Sequence, residues 1–300
     1  MKTMTNKTAL IVDGNNNLFR AFYKFTGMRT QQGSSTSCIY GFPYIIRKVI
    51  NKFKPDIAYM VFDGGKSEHR LKVLPNYKNR EKKIGFDYDD FIRQKDMVME
   101  IMYNMGCYVI QERHTETDDW IMVLTRKLKK QGYGVIILSA DKDFHQLLCD
   151  GVMQYAPTKD LKITHKNVKR HYGYEANQCV DYLCIDGDSS DKIPGYPGMG
   201  EKRIADFFSK FSSINEYLAS DESIKILDKK KLEVIYKRNR KLIDLSYFYR
   251  KHLRKKKIPY MFGKEPKVSI KYVSRLCRKQ NINTFLEPDF LTPFKSLKHE

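Results

Sequence analysis

Apolar residues gather in four short unbroken runs, each closed by an acid. They are TALIVD at 8–13, IAYMVFD at 57–63, CYVIQE at 107–112 and GVIILSAD at 134–141. Runs this short and this apolar read as buried strands. Between them, roughly 38–52, 89–105 and 117–131 carry apolar residues at helical spacing. Strands alternating with helices predict an α/β domain: a mainly parallel central sheet flanked by helices. After about residue 165 strand signals stop, and helical patterns separated by a Gly/Pro hairpin take over. The expected division is an α/β core over 1–185 and a helical region over 186–300.

Two stretches stand apart from that pattern. Residues 64–88 (GGKSEHRLKVLPNYKNREKKIGFDY) are rich in cations, glycine and aromatics, and a connection of that length usually has a function. Residues 225–257 are densely basic yet keep Leu, Ile, Val, Tyr and Phe at helical spacing, which predicts packed helices with one basic face. The net charge of +20 points to a polyanionic partner, nucleic acid first, although a lysine-rich solvated surface accounts for charge alone equally well. No apolar run approaches the roughly 20 residues that span a bilayer, and the N-terminus lacks the build of a signal peptide. A soluble cytoplasmic monomer without membrane contact is therefore expected. The six cysteines contain no C-x-x-C pair, so they read as reduced, mostly buried thiols and not as a zinc site or disulfide framework.

In a chain this basic, clustered acids need an explanation. Asp13 and Asp63 close the first two strands, Asp141 and Asp143 follow the fourth, Glu116, Asp118 and Asp119 open a helix, and Asp188 and Asp191 lie in IDGDSSDKIPG. The carboxyl ends of parallel strands share one edge, where ligands bind, so acids far apart in sequence can converge there. Nine carboxylates in one cleft require cations, and hard oxygen donors suit Mg²⁺ or Mn²⁺. Two such ions roughly 3.5–4 Å apart would activate water and stabilise a leaving oxygen in phosphodiester hydrolysis. Each acid also has a plainer reading: Glu116, Asp118 and Asp119 as helix-terminus charges, Asp13 as a turn residue, Asp188 and Asp191 as loop acids.

The motifs LIVDGNN (10–16), VFDGGKSEHR (61–70), PNYKNR (75–80), ETDDW (116–120), SADKDFHQLL (139–148) and GDSSDKIPGYPGMGEKRIADFF (187–208) stand in an order that resembles the flap endonuclease-type 5′ nucleases. That family includes bacteriophage enzymes and the nuclease domain of bacterial DNA polymerase I. The resemblance covers about residues 9–210. It implies a PIN-like nuclease core, a helical arch at about 64–88 admitting the 5′ strand, and a helix-hairpin-helix at about 192–211 gripping duplex. It implies that Asp13, Asp63, Glu116 and Asp118 hold a first Mg²⁺, with Asp118 as bridge, and that Asp141 and Asp143 hold a second. Asp119, Asp188 and Asp191 would act directly or through bound water. Lys78 and Arg80 would contact the scissile phosphate. Here the sequence departs from many relatives, since Tyr77-Lys78-Asn79-Arg80 has one residue between the cations where they have two. Either Arg80 shifts register or Lys82 or Lys83 takes part of its role.

Phe19 and Tyr77 are candidates to stack on bases, against the alternative of core packing. The turn GYPGMGEKR (195–203) lacks the Lys-Ser/Thr of a phosphate-binding P-loop. As a hairpin its Gly195, Gly198 and Gly200 let backbone amides approach phosphates, with Lys202 and Arg203 facing out. The family also implies a bound K⁺ there. The expected substrates are branched or 5′-overhanging DNA and RNA–DNA duplex, and the expected role is removal of RNA primers or 5′ flaps during replication, in the host cytoplasm if the chain is a phage's. A single-strand-binding protein or clamp would dock on the basic C-terminal third. Two rivals remain at this point. A phosphatase using Asp141-Lys142-Asp143 leaves the charge unexplained, and a non-catalytic binding module would be expected to have lost some of its acids.

Overall fold

The computed structural model describes residues 7–30, 32–79, 84–263, 265–280, 282–287 and 289–298. In chain order the core elements are β1 (Thr8–Asp13), α1 (Gly14–Lys24), α2 (Ser37–Phe53), β2 (Ile57–Val61), α3 (Glu68–Val73), α4 (Tyr88–Asn104), β3 (Tyr108–Ile110), α5 (Thr117–Lys130) and β4 (Gly134–Leu138), followed by β5 (Val152–Ala156) and β6 (Leu161–Ile163). The sheet runs β3-β2-β1-β4-β5-β6. Every pairing is parallel except β5 with β6. β1 is central, and its register sets Asp13 beside Val61 and Val12 beside Leu138. The carboxyl ends of β1, β2 and β4 therefore share one edge.

The unbroken apolar runs follow from burial on both faces. Leu10, Val12, Ala58, Met60, Ile136 and Leu138 pack on one side with α1, α2 and α4. Ala9, Ile11, Tyr59, Val61, Val135 and Ile137 pack on the other with α5. Burying side chains of this size stabilises by about 1.5–3 kcal/mol each, so a one-residue register slip would exchange the two faces at large cost.

The helical portion comprises α6 (Val168–Tyr172), α7 (Cys179–Asp186), the hairpin strands β7 (Gly187–Asp188) and β8 (Ile193–Pro194), α8 (Glu201–Lys210), α9 (Ile214–Ala219), α10 (Lys229–Ile243) and α11 (Leu245–Phe248). A π-helical turn follows at Tyr249–Leu253. α7 to α10 share their own apolar cluster. The helix-hairpin-helix is thus α7, the β7/β8 hairpin with its turn, and α8; the window 192–211 holds the turn and α8. The chain then returns to the core. α12 (Ile270–Gln280) places Val273 and Leu276 in the α2/α4 cluster, and α13 (Thr292–Lys295) places Phe294 there; Phe285 and Phe290, between the two helices, join them. Five of the six cysteines are buried and all are free. Among the described residues no helix is long and apolar enough to cross a membrane.

Candidate active site

The site begins with how β1 ends. Asp13 is the N-cap of α1, accepting from the Asn16 amide at 3.1 Å, while its other oxygen accepts from Ser139 Oγ at 2.7 Å. Asn17 donates to the carbonyls of Asp13 and Leu138 and so locks the ends of β1 and β4 together. Asp63 is held as firmly. Its Oδ1 accepts from the Thr117 amide (2.7 Å) and hydroxyl (2.8 Å), and its Oδ2 from Asn15 Nδ2 (2.7 Å). Lys95 and Gln111 donate to its carbonyl.

Glu116 occupies the N-cap position of α5 but makes no side-chain cap bond, which removes the plain capping reading. Its carboxylate accepts instead from the Ser67 amide, from Tyr77 Oη at 2.8 Å and from Lys78 Nζ at 2.6 Å. Asp141 caps the 3-10 turn Lys142–Leu147 by accepting from the Asp143 amide. Asp188 accepts from the amides of Ser190 and Asp191, shaping the hairpin turn. Asp191 binds back to the 64–88 connection: its carbonyl accepts from the Lys78 amide, and Oδ2 lies 3.5 Å from Lys78 Nζ. Lys78 itself takes the left-handed backbone region at φ 48°, which lays its ammonium among the acids.

The electrostatics show convergence. Burial pushes the Asp13 carboxyl up to about 7 against its hydrogen bonds, and the charges of Asp141 and Asp63 add to that. Burial and then Asp141 push Asp118 well above the carboxylate range, with Lys78 opposing. Burial, then Asp141, Asp188 and Asp191, do the same to Asp143. Enclosure and the charges of Asp188 and Asp191 raise Asp141 against the Asp143 amide. For Glu116 burial is the largest influence and works upward, but Arg70 and Lys78 outweigh it and hold the carboxyl low. Seven aspartates therefore gather like charge in one cleft, and among the described residues Lys78 is set among them, with Lys95 beside Asp63. Among the described residues no three ligand-type side chains are arranged to hold an ion alone. A small hard cation that keeps water and takes phosphate oxygen does not need such a cage, and an all-oxygen, net-negative donor set fits Mg²⁺ or Mn²⁺.

Two expectations are corrected. Asp119 does not join the cluster: it is buried, and both its oxygens are taken by the Arg70 guanidinium at 2.7 and 2.8 Å. That bidentate pair gives the buried carboxylate its counter-charge. Tyr77 offers no face to a base, because its ring is buried in the helical cluster and its hydroxyl is spent on Glu116. Phe19 is half exposed and stacked on Phe91 at 4.6 Å, among Phe22 and Phe86. Arg80, Lys82 and Lys83 lie outside the described residues.

On the hairpin, Gly195 passes so close to α7 that a Cβ would lie 2.2 Å from the Asp186 carbonyl oxygen. Gly198 sits at φ +81°, while at Gly200, the N-cap of α8, a Cβ would meet nothing. Lys202 and Arg203 are exposed in the first turn of α8, and Arg203 donates to the Gly198 carbonyl.

The model of the 5′-3′ exonuclease N-terminal, resolvase-like domain matches residues 8–173, more than half of the 300-residue chain. The chain belongs to this 5′-3′ exonuclease family. The 5′-3′ exonuclease of Aquifex aeolicus is 30% identical over 244 residues, covering 80% of this chain and 83% of that one. DNA polymerase I of Caldicellulosiruptor bescii is 34% identical over 230 residues, covering 75% of this chain; the chain matches only 27% of that polymerase's length. Among solved structures, the bacteriophage T5 flap endonuclease in a pseudo-enzyme–product complex with DNA and metal ions has a TM-score of 0.68 at 21% identity, over 96% of this chain and 97% of that one. The catalytic core of Rad2 in complex with DNA substrate has a TM-score of 0.58 at 14% identity, over 96% and 93%. At these identities the two structures establish the shared fold.

In this 5′-3′ exonuclease family member, Asn15, Arg70, Lys95, Thr117 and Ser139 gain their roles only from the structure. Asn15 and Ser139 lie inside motifs already singled out, each two residues from an acid, so that proximity was the available signal. Arg70 closes such a motif too, two residues after Glu68, but its partner Asp119 is 49 positions away.

Proposed function

We propose that this chain is a divalent-metal-dependent, structure-specific 5′ nuclease that hydrolyses phosphodiesters near the junction of a duplex and a 5′ single strand, in DNA or RNA–DNA, by exonucleolytic and flap-endonucleolytic cutting. The observation that carries the reading is the convergence of Asp13, Asp63, Asp118, Asp141, Asp143, Asp188 and Asp191 on the carboxyl edge of a parallel sheet, bordered by Lys78 and by the hairpin of the helical portion. Asp13, Asp63, Asp118, Asp141 and Asp143 would hold two Mg²⁺ or Mn²⁺ ions, with Glu116, Asp188 and Asp191 reaching them directly or through water. Ions bound there would activate the attacking water and stabilise charge on the leaving oxygen.

The protein's own residues prepare that chemistry. Asn15, Thr117 and Ser139 fix the rotamers of Asp63 and Asp13, so the donor set is preorganised. Lys78 offsets charge on the scissile phosphate, and its hold on Glu116 and Asp191 fixes its position. The turn at Gly195–Gly200 with Lys202 and Arg203 would grip duplex through backbone phosphates, independent of sequence, with K⁺ as a further ligand of the hairpin. The setting is removal of RNA primers or 5′ flaps in replication, by a monomer in the cytoplasm. A single-strand-binding protein or clamp would dock on the basic C-terminal third.

The test uses a flapped duplex labelled at the 5′ end, with Mg²⁺ or EDTA, beside an Asp141→Asn/Asp143→Asn variant. The expected result is Mg²⁺-dependent release of a product cut near the junction, absent from the variant. Tight flap binding without cleavage in Mg²⁺ or Mn²⁺ would replace the enzyme by a binding module.

A further inference from the structure

α5 has two ends with opposite character. Its N-terminal turn brings Asp118 to the acid cluster. Beyond it, one side of the helix faces the π-helical turn and the residues after it across a cleft of about 940 Å³. Arg126, Lys130, Arg250, Arg254 and Lys256 line that cleft and are exposed; Lys256 pairs with Glu112 and Arg250 lies 3.9 Å from Asp244, and among the described residues no Asp or Glu lines the cleft itself. Its wall carries an aromatic ring, Tyr249, with the Arg126 guanidinium 5.0 Å over it. At 1.5 Å per residue, the α5 side of the cleft runs from roughly 6 Å (Met122) to roughly 18 Å (Lys130) beyond Asp118. The fold gives this surface a rigid link to the reacting centre, because one helix carries both.

We propose that this cleft is a track for the phosphates of the single-stranded 5′ arm of the substrate, a contact separate from the acid cluster and from the hairpin. This rests on the nuclease reading above. A cationic groove with an aromatic wall is the pattern that binds single strands without sequence preference. A cleft between two helices admits a single strand, whereas a duplex about 20 Å across would have to ride over its rim. The same π-helical region reaches the 64–88 connection, since His252 stacks on His69 of α3 at 3.7 Å. The π-helical turn that walls the groove thus also touches α3, in the connection that the 5′ strand would pass.

The test compares equilibrium binding of two Ca²⁺-loaded duplexes, one with a 5′ flap of about ten nucleotides, within the usual single-strand site size, and one without a flap. Wild type is set beside the four-fold variant Arg126→Gln/Lys130→Gln/Arg250→Gln/Arg254→Gln. For the flapped duplex the variant should lose more than tenfold in affinity, and the slope of log K against log salt should flatten by about 0.7 for each phosphate no longer neutralised, about 3 in all. Affinity for the flapless duplex should stay within twofold. As a measurement independent of the variant's folding, bromodeoxyuridine placed along the flap should photocrosslink to wild-type Tyr249. An unchanged slope, an equal loss on both duplexes, or a crosslink confined to the junction nucleotide would each overturn the track. Failure of Mg²⁺ cleavage with this flap-dependent binding intact would instead count against the nuclease reading.

Discussion

Arg70 shows how a buried charge can be structural beside a functional site. Its guanidinium spans Asp119, lies 3.8 Å from Glu116 and also donates to the Leu242 carbonyl of α10. Arg70→Met would leave Asp119 buried without a partner and should cost about 3–5 kcal/mol, whereas Arg70→Met/Asp119→Leu should recover most of that loss. Urea denaturation of the three proteins checks the order. His145 gives a pH signature. It is buried, its Nδ1 lies 2.7 Å from the Tyr174 hydroxyl, and burial lowers its imidazole to about 4. The unfolded chain binds that proton near pH ~6.5 and the native chain does not, so this contribution is whole above ~6.5 and is lost as pH falls toward 4, by up to about 3 kcal/mol. The stability difference between wild type and His145→Gln, followed by denaturant melts across that window, should carry this slope. Asp13 has the opposite sign. Its carboxyl is raised to about 7, so the metal-free fold carries a penalty that is full above pH ~7 and fades as pH falls toward ~3.9. Asp13→Asn should therefore raise metal-free stability at pH 8 by at least about 1 kcal/mol and weaken the stabilisation that added Mg²⁺ gives.

At the scale of elements, the hairpin depends on a close backbone crossing. A Cβ at Gly195 meets carbonyl oxygens of Asp186 at 2.2 Å and Ile185 at 2.4 Å, and backbone cannot swing aside as a side chain can. Gly195→Ala should cost more than about 1 kcal/mol and lower duplex affinity, whereas Gly200→Ala, at an open position, should stay within about 0.5 kcal/mol. Thermal melts and duplex-binding isotherms of both variants decide it. The elements most legible in the sequence were those with strong periodicity or unbroken apolar runs: α2, α4 and α5 begin and end within a residue of the expected spans, as β1 does. β5 and β6 went unread. β5 is five residues with Gln154 in its middle, and that Gln is buried because it donates to the Ser139 and Asp141 carbonyls. Such a polar residue breaks an apolar run for a reason visible only in three dimensions. The same limit hid the Arg70–Asp119 pair, while the acids at strand ends were legible because parallel topology fixes where those ends meet.

Across the whole molecule, two charge facts stand side by side. A net charge of +20 accompanies a cleft in which aspartates raise one another's affinity for protons. The positive exterior would gather polyphosphate, and the negative cleft would gather the cations needed to cut it. The packing of Val273, Leu276, Phe285, Phe290, Phe294 and Leu297 into the α2/α4 cluster, for which the sequence held no signal, ties the C-terminal segment to the core. Whether the strand-end acids form a divalent-metal site is decided by titrating Mn²⁺ into the protein and counting bound ions by electron paramagnetic resonance. Wild type should bind about two ions per chain, Asp141→Asn/Asp143→Asn should lose at least one of them, and the groove variant should match wild type. No bound Mn²⁺ in wild type, or equal uptake by the aspartate variant, would overturn the assignment of these acids to metal.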